Sequence, residues 1–229
     1  MEKRHQRIHA SIVRWVGVAA QCGLVGVVFL PALLVAKYPV AVPAQSEALH
    51  VAAQTVETRR PEDLTKIYTI VRNNRPGISD KEAWKVSTAI LDECAKRNLD
   101  PMLVLAVIKI ESNFRNRVES PMGARGIMQI MPETGKFLSQ ELLRVDGFGY
   151  GTFIADQLYD PIVNIKLGVY YLDGLKRQFR NLQLALLAYN LGPGEIRNRL
   201  DNNLYFSDAY AASVLNVYRE FKSERERLF

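Results

Sequence analysis

The stretch "AVIKIESNFRNRVESPMGARGIMQIMP", residues 106–132, sets one carboxylate, Glu111, in an otherwise apolar helical run and follows it with a glycine-punctuated segment. Val104, Val107 and Ile108 recur at helical spacing, and Glu111 continues their face one turn on, while Lys109 points elsewhere. Asp100 is placed to cap this helix, with Pro101 at its first position. A carboxyl held against apolar side chains has its pKa raised, because desolvation disfavours the charged form. Such a group is a general acid that keeps its proton near neutral pH, as cleavage of a glycosidic bond requires. An ion pair with Arg115, four residues on, would lower the pKa instead. On this helix alone both readings stand.

Downstream, Gly123 and Gly126 allow a sharp turn or a close backbone approach. Met128, Gln129 and Met131 then offer one amide and two soft apolar surfaces, a combination suited to sugar hydroxyls, N-acetyl groups and ring faces. The alternative is a plain loop with methionine packed in the core. A second apolar helix, "LALLAYNLGPGE" (184–195), ends on Tyr189 and Asn190. The phenol can reach a cleft there, or serve as an ordinary core tyrosine.

Composition narrows the chemistry. All three histidines, His5, His9 and His50, lie near the N-terminus, so the remainder has no imidazole. That removes Ser-His-Asp and Cys-His catalysis and most zinc sites. Neither a phosphate-binding loop nor a dinucleotide fingerprint is present, and no metal or organic cofactor is implied. Cys22 and Cys94 form no disulfide framework. Of the net charge of +6, residues 1–37 hold +4, with five basic residues and one acidic. The rest of the chain lacks a concentrated basic stripe, so nucleic-acid binding gains little support.

The N-terminus reads as an export signal. Trp15 to Ala36 carries no charge, longer than the roughly 20 apolar residues a membrane helix needs. Lys3, Arg4, Arg7 and Arg14 precede it and should hold the first residues in the cytoplasm. The expected organisation is a basic tail (1–14), a transmembrane anchor or a cleaved signal (15–36), a linker (37–60) and an exported domain (61–229). "VPA" ending at Ala44 keeps cleavage open.

Within the domain the expected elements are nearly all helical. Pro61 opens a helix through Val71, and Ser79 with Glu82 makes a capping box for one reaching Arg97. After the Asp100-capped helix, Pro132 starts one toward Leu143, and "DGFGYGTFIADQLY" (146–159) reads as a loop. Asp160-Pro161 opens a helix to Phe179, Leu182 to Asn190 forms the next, and Gly192-Pro193-Gly194 stops it. Ser207 caps a last helix through Lys222. Sustained period-two alternation is missing, so the fold class is all-α.

Five segments occur in one order: Glu111-Ser112, "GARGIMQIMPET" from Gly123, "DPIVNIKLGVYYL" from Asp160, "AYNLGPG" from Ala188 and "YAASVLNVY" from Tyr210. Together they closely resemble the lytic transglycosylases of the soluble-lytic type, a lysozyme-like family that cleaves bacterial peptidoglycan. The resemblance spans about residues 84 to 221. It implies a lysozyme-like helical domain in which Glu111 is the acid/base, Ser120, Gln129 and Met131 line the saccharide cleft, Tyr189 orients the glutamate, and Asn190 completes the "AYN" motif. It departs at Ile127 for the common leucine, Leu191 for the common alanine, and Phe206 where the family often has a glutamate.

The same resemblance implies glycan strands of peptidoglycan as substrate and a single glutamate acting twice. Protonated Glu111 donates to the oxygen joining N-acetylmuramic acid to N-acetylglucosamine, then as a base draws a proton from the muramic C6 hydroxyl. The product is a 1,6-anhydromuramic end. The implied location is the periplasm, on the inner membrane of a Gram-negative bacterium, with envelope partners unspecified. Lysozyme-like hydrolysis on the same fold and a non-catalytic wall-binding adaptor are the competing expectations.

Overall fold

The computed structural model describes residues 61–147 and 152–227. The expected basic tail, apolar segment and linker lie outside the described residues, as does part of the 146–159 loop. Among the described residues there are eight α-helices and one 3-10 helix, with no strand. Among them, no helix is long and apolar enough to cross a membrane. The all-α expectation for the domain therefore matches the structure.

Helix α1 covers residues 61–74, three beyond the expected end, and buries Ile67, Ile70 and Val71 at helical spacing. Helix α2, Asp80–Arg97, buries Ala83, Val86, Ile90 and Cys94 along one stripe. Its expected capping box is only half made. Ser79 Oγ accepts from the Glu82 amide at 3.2 Å. The Glu82 carboxylate, however, turns away to Asn116 Nδ2 (2.6 Å) and Arg75 Nη1 (3.1 Å). A charge-assisted pair to other parts of the chain outcompetes the local cap.

Helix α3, Pro101–Ser112, is the centre of the domain. Asp100 caps it through Met102 N at 2.9 Å and accepts from the Tyr218 hydroxyl on its other oxygen at 2.7 Å. Every side chain from Met102 to Ile108 is buried. A helix apolar all round belongs inside a domain rather than on it. Truncating one of these, Leu105 for example, should cost about 2–5 kcal/mol.

Helix α4 runs Pro132–Asp146, one turn past expectation. The expected 146–159 loop contains a 3-10 helix, Ala155–Tyr159, which seats fully buried Leu158. Helix α5, Pro161–Phe179, is capped by Asp160, whose Oδ1 accepts from Ile162 N and Val163 N. Helix α6, Leu182–Leu191, follows from an Asn181 cap. Gly192-Pro193-Gly194 does more than stop α6. Gly192, at φ 89°, turns the chain and Pro193 opens helix α7, Pro193–Asp201. A proline at the first helical position loses no hydrogen bond, which is why a stop can also be a start. Helix α8, Ala209–Arg227, outruns the expected end at Lys222, and Ser207 Oγ accepts from Ala209 N at 3.2 Å.

The packing puts α3 against α8, α2 against α5, and α6 against α5, α7 and α8. The C-terminal turn of α3, the start of α8 and the end of α6 therefore converge beside the glycine-containing segment 118–130.

Candidate active site

Glu111 sits half-buried on the last turn of α3. The helix ends at Ser112 because Asn113 (φ 50°) and Phe114 (φ 63°) both take the left-handed conformation. Phenylalanine resists that region, at a cost of about 1–3 kcal/mol. Complete burial of its ring compensates. The turn removes Arg115 from the helical i+4 position, and its Nε donates to the Ser112 carbonyl at 3.0 Å. Glu111 thus escapes the ion pair that one reading of the sequence held open.

Instead the Tyr210 hydroxyl donates to Glu111 Oε1. Burial pushes the Glu111 carboxyl from the ordinary 4.5 up to about 7, against a smaller opposing effect of that hydrogen bond. Tyr210 itself is held well above the usual tyrosine range, by burial first and then by the Glu111 charge. The pair is therefore a neutral phenol donating to an acid that carries its proton at neutral pH about half of the time.

The remaining expected residues fall as follows. Tyr189 is buried, with its ring centroid 5.3 Å from that of Tyr171. Its hydroxyl donates to the Met128 carbonyl at 2.8 Å, and the hydroxyl bonded to Glu111 is that of Tyr210. The end of α6 meets segment 127–129 through that bond, whereas Tyr210, at the start of α8, reaches the last turn of α3. Gln129 has φ 51° and spends both amide hydrogens on backbone carbonyls, Gly126 O (2.9 Å) and Val118 O (3.1 Å). The atom it can still offer is Oε1. Ser120 closes a turn: its Oγ accepts from Ala124 N at 3.0 Å and its carbonyl from Gly123 N at 2.8 Å. Met131 is 41 % exposed at the start of α4, and Asn190 is exposed on the last turn of α6. Met128 offers no free surface. It is wholly buried against Gly168, where a Cβ would stand 2.5 Å from its sulfur.

Besides Tyr210, two contributors lie outside the candidate residues read from the sequence. Ser112 Oγ donates to the Ile127 carbonyl at 2.7 Å, with Ile108 O as a longer second acceptor at 3.2 Å, tying the glutamate's helix to the segment. Asn164 of α5, fully buried, bonds to the same segment. Gly126 (φ 82°) leaves room for it, since a Cβ there would stand 2.0 Å from Leu158 O and 2.3 Å from Asn164 Nδ2. On the outer side, Arg125 bridges Asp156 (3.1 Å) and Glu119 (3.5 Å) across the Tyr159 ring. Signals for Tyr210 and Asn164 existed in part: each shares a helical face with buried neighbours, Val214 and Gly168 respectively. Among the described residues no group of three or more His, Cys, Asp or Glu side chains is placed to hold a metal ion.

An all-helical domain in which a half-buried glutamate, its pKa raised by burial, ends a central helix beside a glycine-containing segment fits a lysozyme-like helical fold. The chain belongs to the Transglycosylase SLT domain family, which it matches over residues 88–212. It is 36% identical over 150 residues to the soluble lytic murein transglycosylase of Salmonella typhimurium, covering 58% of this chain and 22% of that one. With the membrane-bound lytic murein transglycosylase C of Shigella sonnei it shares 28% over 166 residues, 69% of this chain and 44% of the other. Among solved structures, an inactive mutant of the lytic transglycosylase Slt from Pseudomonas aeruginosa aligns with TM-score 0.52 at 30% identity, covering 60% of this chain and 24% of that one. A complex of the 70-kDa soluble lytic transglycosylase with bulgecin A aligns with TM-score 0.52 at 27% identity, over 59% and 24%. The chain thus spans about a fifth of the soluble relative and under half of the membrane-bound one.

Proposed function

We propose that this chain is a peptidoglycan lytic transglycosylase that cleaves the β-1,4 bond between N-acetylmuramic acid and N-acetylglucosamine and leaves a 1,6-anhydromuramic end. The observation that carries the reading is the state of Glu111: burial holds its carboxyl at about 7, and its partner is a phenol rather than a cation or a second acid. Family membership and the murein named in its relatives supply the substrate class.

A glycosidase without a second carboxylate needs a nucleophile from the substrate. Glu111 donates its proton to the glycosidic oxygen as the C1–O bond breaks, and the muramic acetamido oxygen stabilises C1. The resulting carboxylate accepts the proton of the C6 hydroxyl, and O6 closes on C1. Glu111 ends as it began, and no water is consumed. A pKa near the working pH suits both halves, because the same group must give and then take a proton. Tyr210 steadies the carboxylate between the two transfers without supplying a competing charge. Ser120, Gln129, Met131 and Asn190 are the groups on the glycan side, backed by Tyr189, with Gln129 Oε1 as the acceptor for a sugar N–H or hydroxyl. The segment 15–36 would anchor the domain on the periplasmic face of the inner membrane.

Digestion of purified sacculi followed by mass spectrometry of the muropeptides tests the reading. Anhydro ends, lighter by one water than reducing ends, are the expected product. Reducing ends alone would assign hydrolysis, and intact sacculi would leave a binding module.

A further inference from the structure

The segment Ile127–Gln129 beside Glu111 is neither helix nor strand, so its buried backbone groups need partners from elsewhere. Three helices supply them. Ser112 of α3 takes the Ile127 carbonyl, and Tyr189 of α6 takes the Met128 carbonyl. Asn164 of α5 does the most. Its Oδ1 accepts from Met128 N at 2.7 Å, and its Nδ2 donates to Arg125 O at 2.8 Å and Leu158 O at 2.9 Å.

That pattern asks for one acceptor and two donors from a single small planar group, which the asparagine amide supplies. An aspartate would turn an oxygen toward two carbonyls, and an apolar side chain would strand Met128 N and the Leu158 carbonyl and leave the Arg125 carbonyl only its bond from Ile130 N. With both the amide and the carbonyl of Met128 tied down, the chain enters Gln129 in one orientation. Gln129 then holds its left-handed backbone, and its Nε2 is consumed by Val118 O and Gly126 O. The free Oε1 is thereby aimed rather than left to rotate.

We propose that Asn164 is a positioning residue for glycan binding, acting through the Met128–Gln129 backbone and touching neither the sugar nor Glu111. This rests on the reading of that segment as the saccharide wall. It separates two functions within the site: α8 sets the acid through Tyr210, while α5 sets the wall through Asn164. Losing Asn164 should therefore weaken substrate binding and leave the acid's titration alone.

The test is steady-state cleavage of sacculi by the full chain carrying Asn164→Ala, with its pH profile. The expected result is a KM raised by about tenfold, the effect of one buried polar group left unpaired. The alkaline limb set by Glu111 stays where it is in the native chain. An unchanged KM, or a limb that moves, overturns the proposal, whatever the melting temperature does, because a merely structural asparagine would lower stability without altering KM. Should Asn164→Ala fail to fold, Tyr189→Phe removes one bond from the same wall and buries no charge. A KM raised there supports the proposal, and an unchanged KM rejects it. Failure of the native chain to release any muropeptide would refute the parent reading instead.

Discussion

Replacing Glu111 by glutamine asks whether charge, rather than shape, is what the site was built around. Glutamine keeps the volume and leaves an oxygen for the Tyr210 hydroxyl, but it cannot ionise. In the native chain burial raises the Glu111 carboxyl from 4.5 to about 7. Between those values the folded chain holds a proton that the unfolded chain has released, so stability falls as pH rises through the window. The penalty is absent below the unfolded pKa and complete above the folded one. The interval corresponds to an upper figure of about 3 kcal/mol. Because Glu111 is half-buried, water screens part of that cost, and about 1–2 kcal/mol is the expected range. Urea unfolding of the full chain should therefore find Glu111→Gln more stable than the parent at about pH 8.5 and indistinguishable from it at about pH 4. The same variant should release no anhydro product while still sedimenting with sacculi. A stability difference of equal size at both pH values would refute the reasoning, since it would owe nothing to ionisation.

Three further outcomes follow from the same contacts. Tyr210→Phe removes the hydrogen bond that partly opposes burial, so the Glu111 pKa should rise further and the alkaline limb of kcat/KM should move to higher pH; a limb moving to lower pH would contradict the assigned donor. Arg115→Ala should leave that limb and kcat/KM essentially unchanged, because the guanidinium serves the Ser112 carbonyl; a raised Glu111 pKa measured by NMR titration would reveal an ion pair after all. Gly126→Ala forces a methyl against Leu158 O and Asn164 at a positive φ. Thermal or urea unfolding should show a loss of about 2–4 kcal/mol, and a neutral effect would mean the segment gives way easily.

How much of this could be read from the chain alone depended on whether an interaction was local. Caps at Asp100 and Asp160 act within three residues, and the structure has both. The capping box at Ser79 failed halfway because Glu82 found Asn116, thirty-four positions on. The same distance problem governs the site. Glu111 was visible as an acid on an apolar face, since periodicity within one helix shows it. Its partner Tyr210 lies ninety-nine positions away, and the choice between Tyr189 and Tyr210 turns on which helix end abuts α3. Met128 and Met131, three residues apart in one quoted motif, part company entirely: one fills the core against Gly168 and the other is 41 % exposed. Helix α7 was hidden by punctuation, because Gly-Pro-Gly serves equally as an end and a beginning.

Under the proposed one-acid scheme, the two tyrosines show why the site needs this much scaffolding. A carboxyl raised to about 7 is unstable company for any mobile cation, which would pull its proton off before the substrate arrived. The fold answers by ending α3 abruptly at Ser112, so that Arg115 leaves the helical register and is used up on a carbonyl. What remains next to Glu111 is a phenol too buried to ionise, able to donate to the carboxylate without neutralising it. The second phenol, Tyr189, lies near enough to feel the Glu111 charge but donates its hydroxyl to the Met128 carbonyl instead. On the proposed reading, proton affinity and wall position are thus assigned to different helices. The testable consequence is that Tyr210→Phe should shift the pH profile with little change in KM, while Tyr189→Phe should do the reverse. If both substitutions moved the same parameter, the separation of roles would fall.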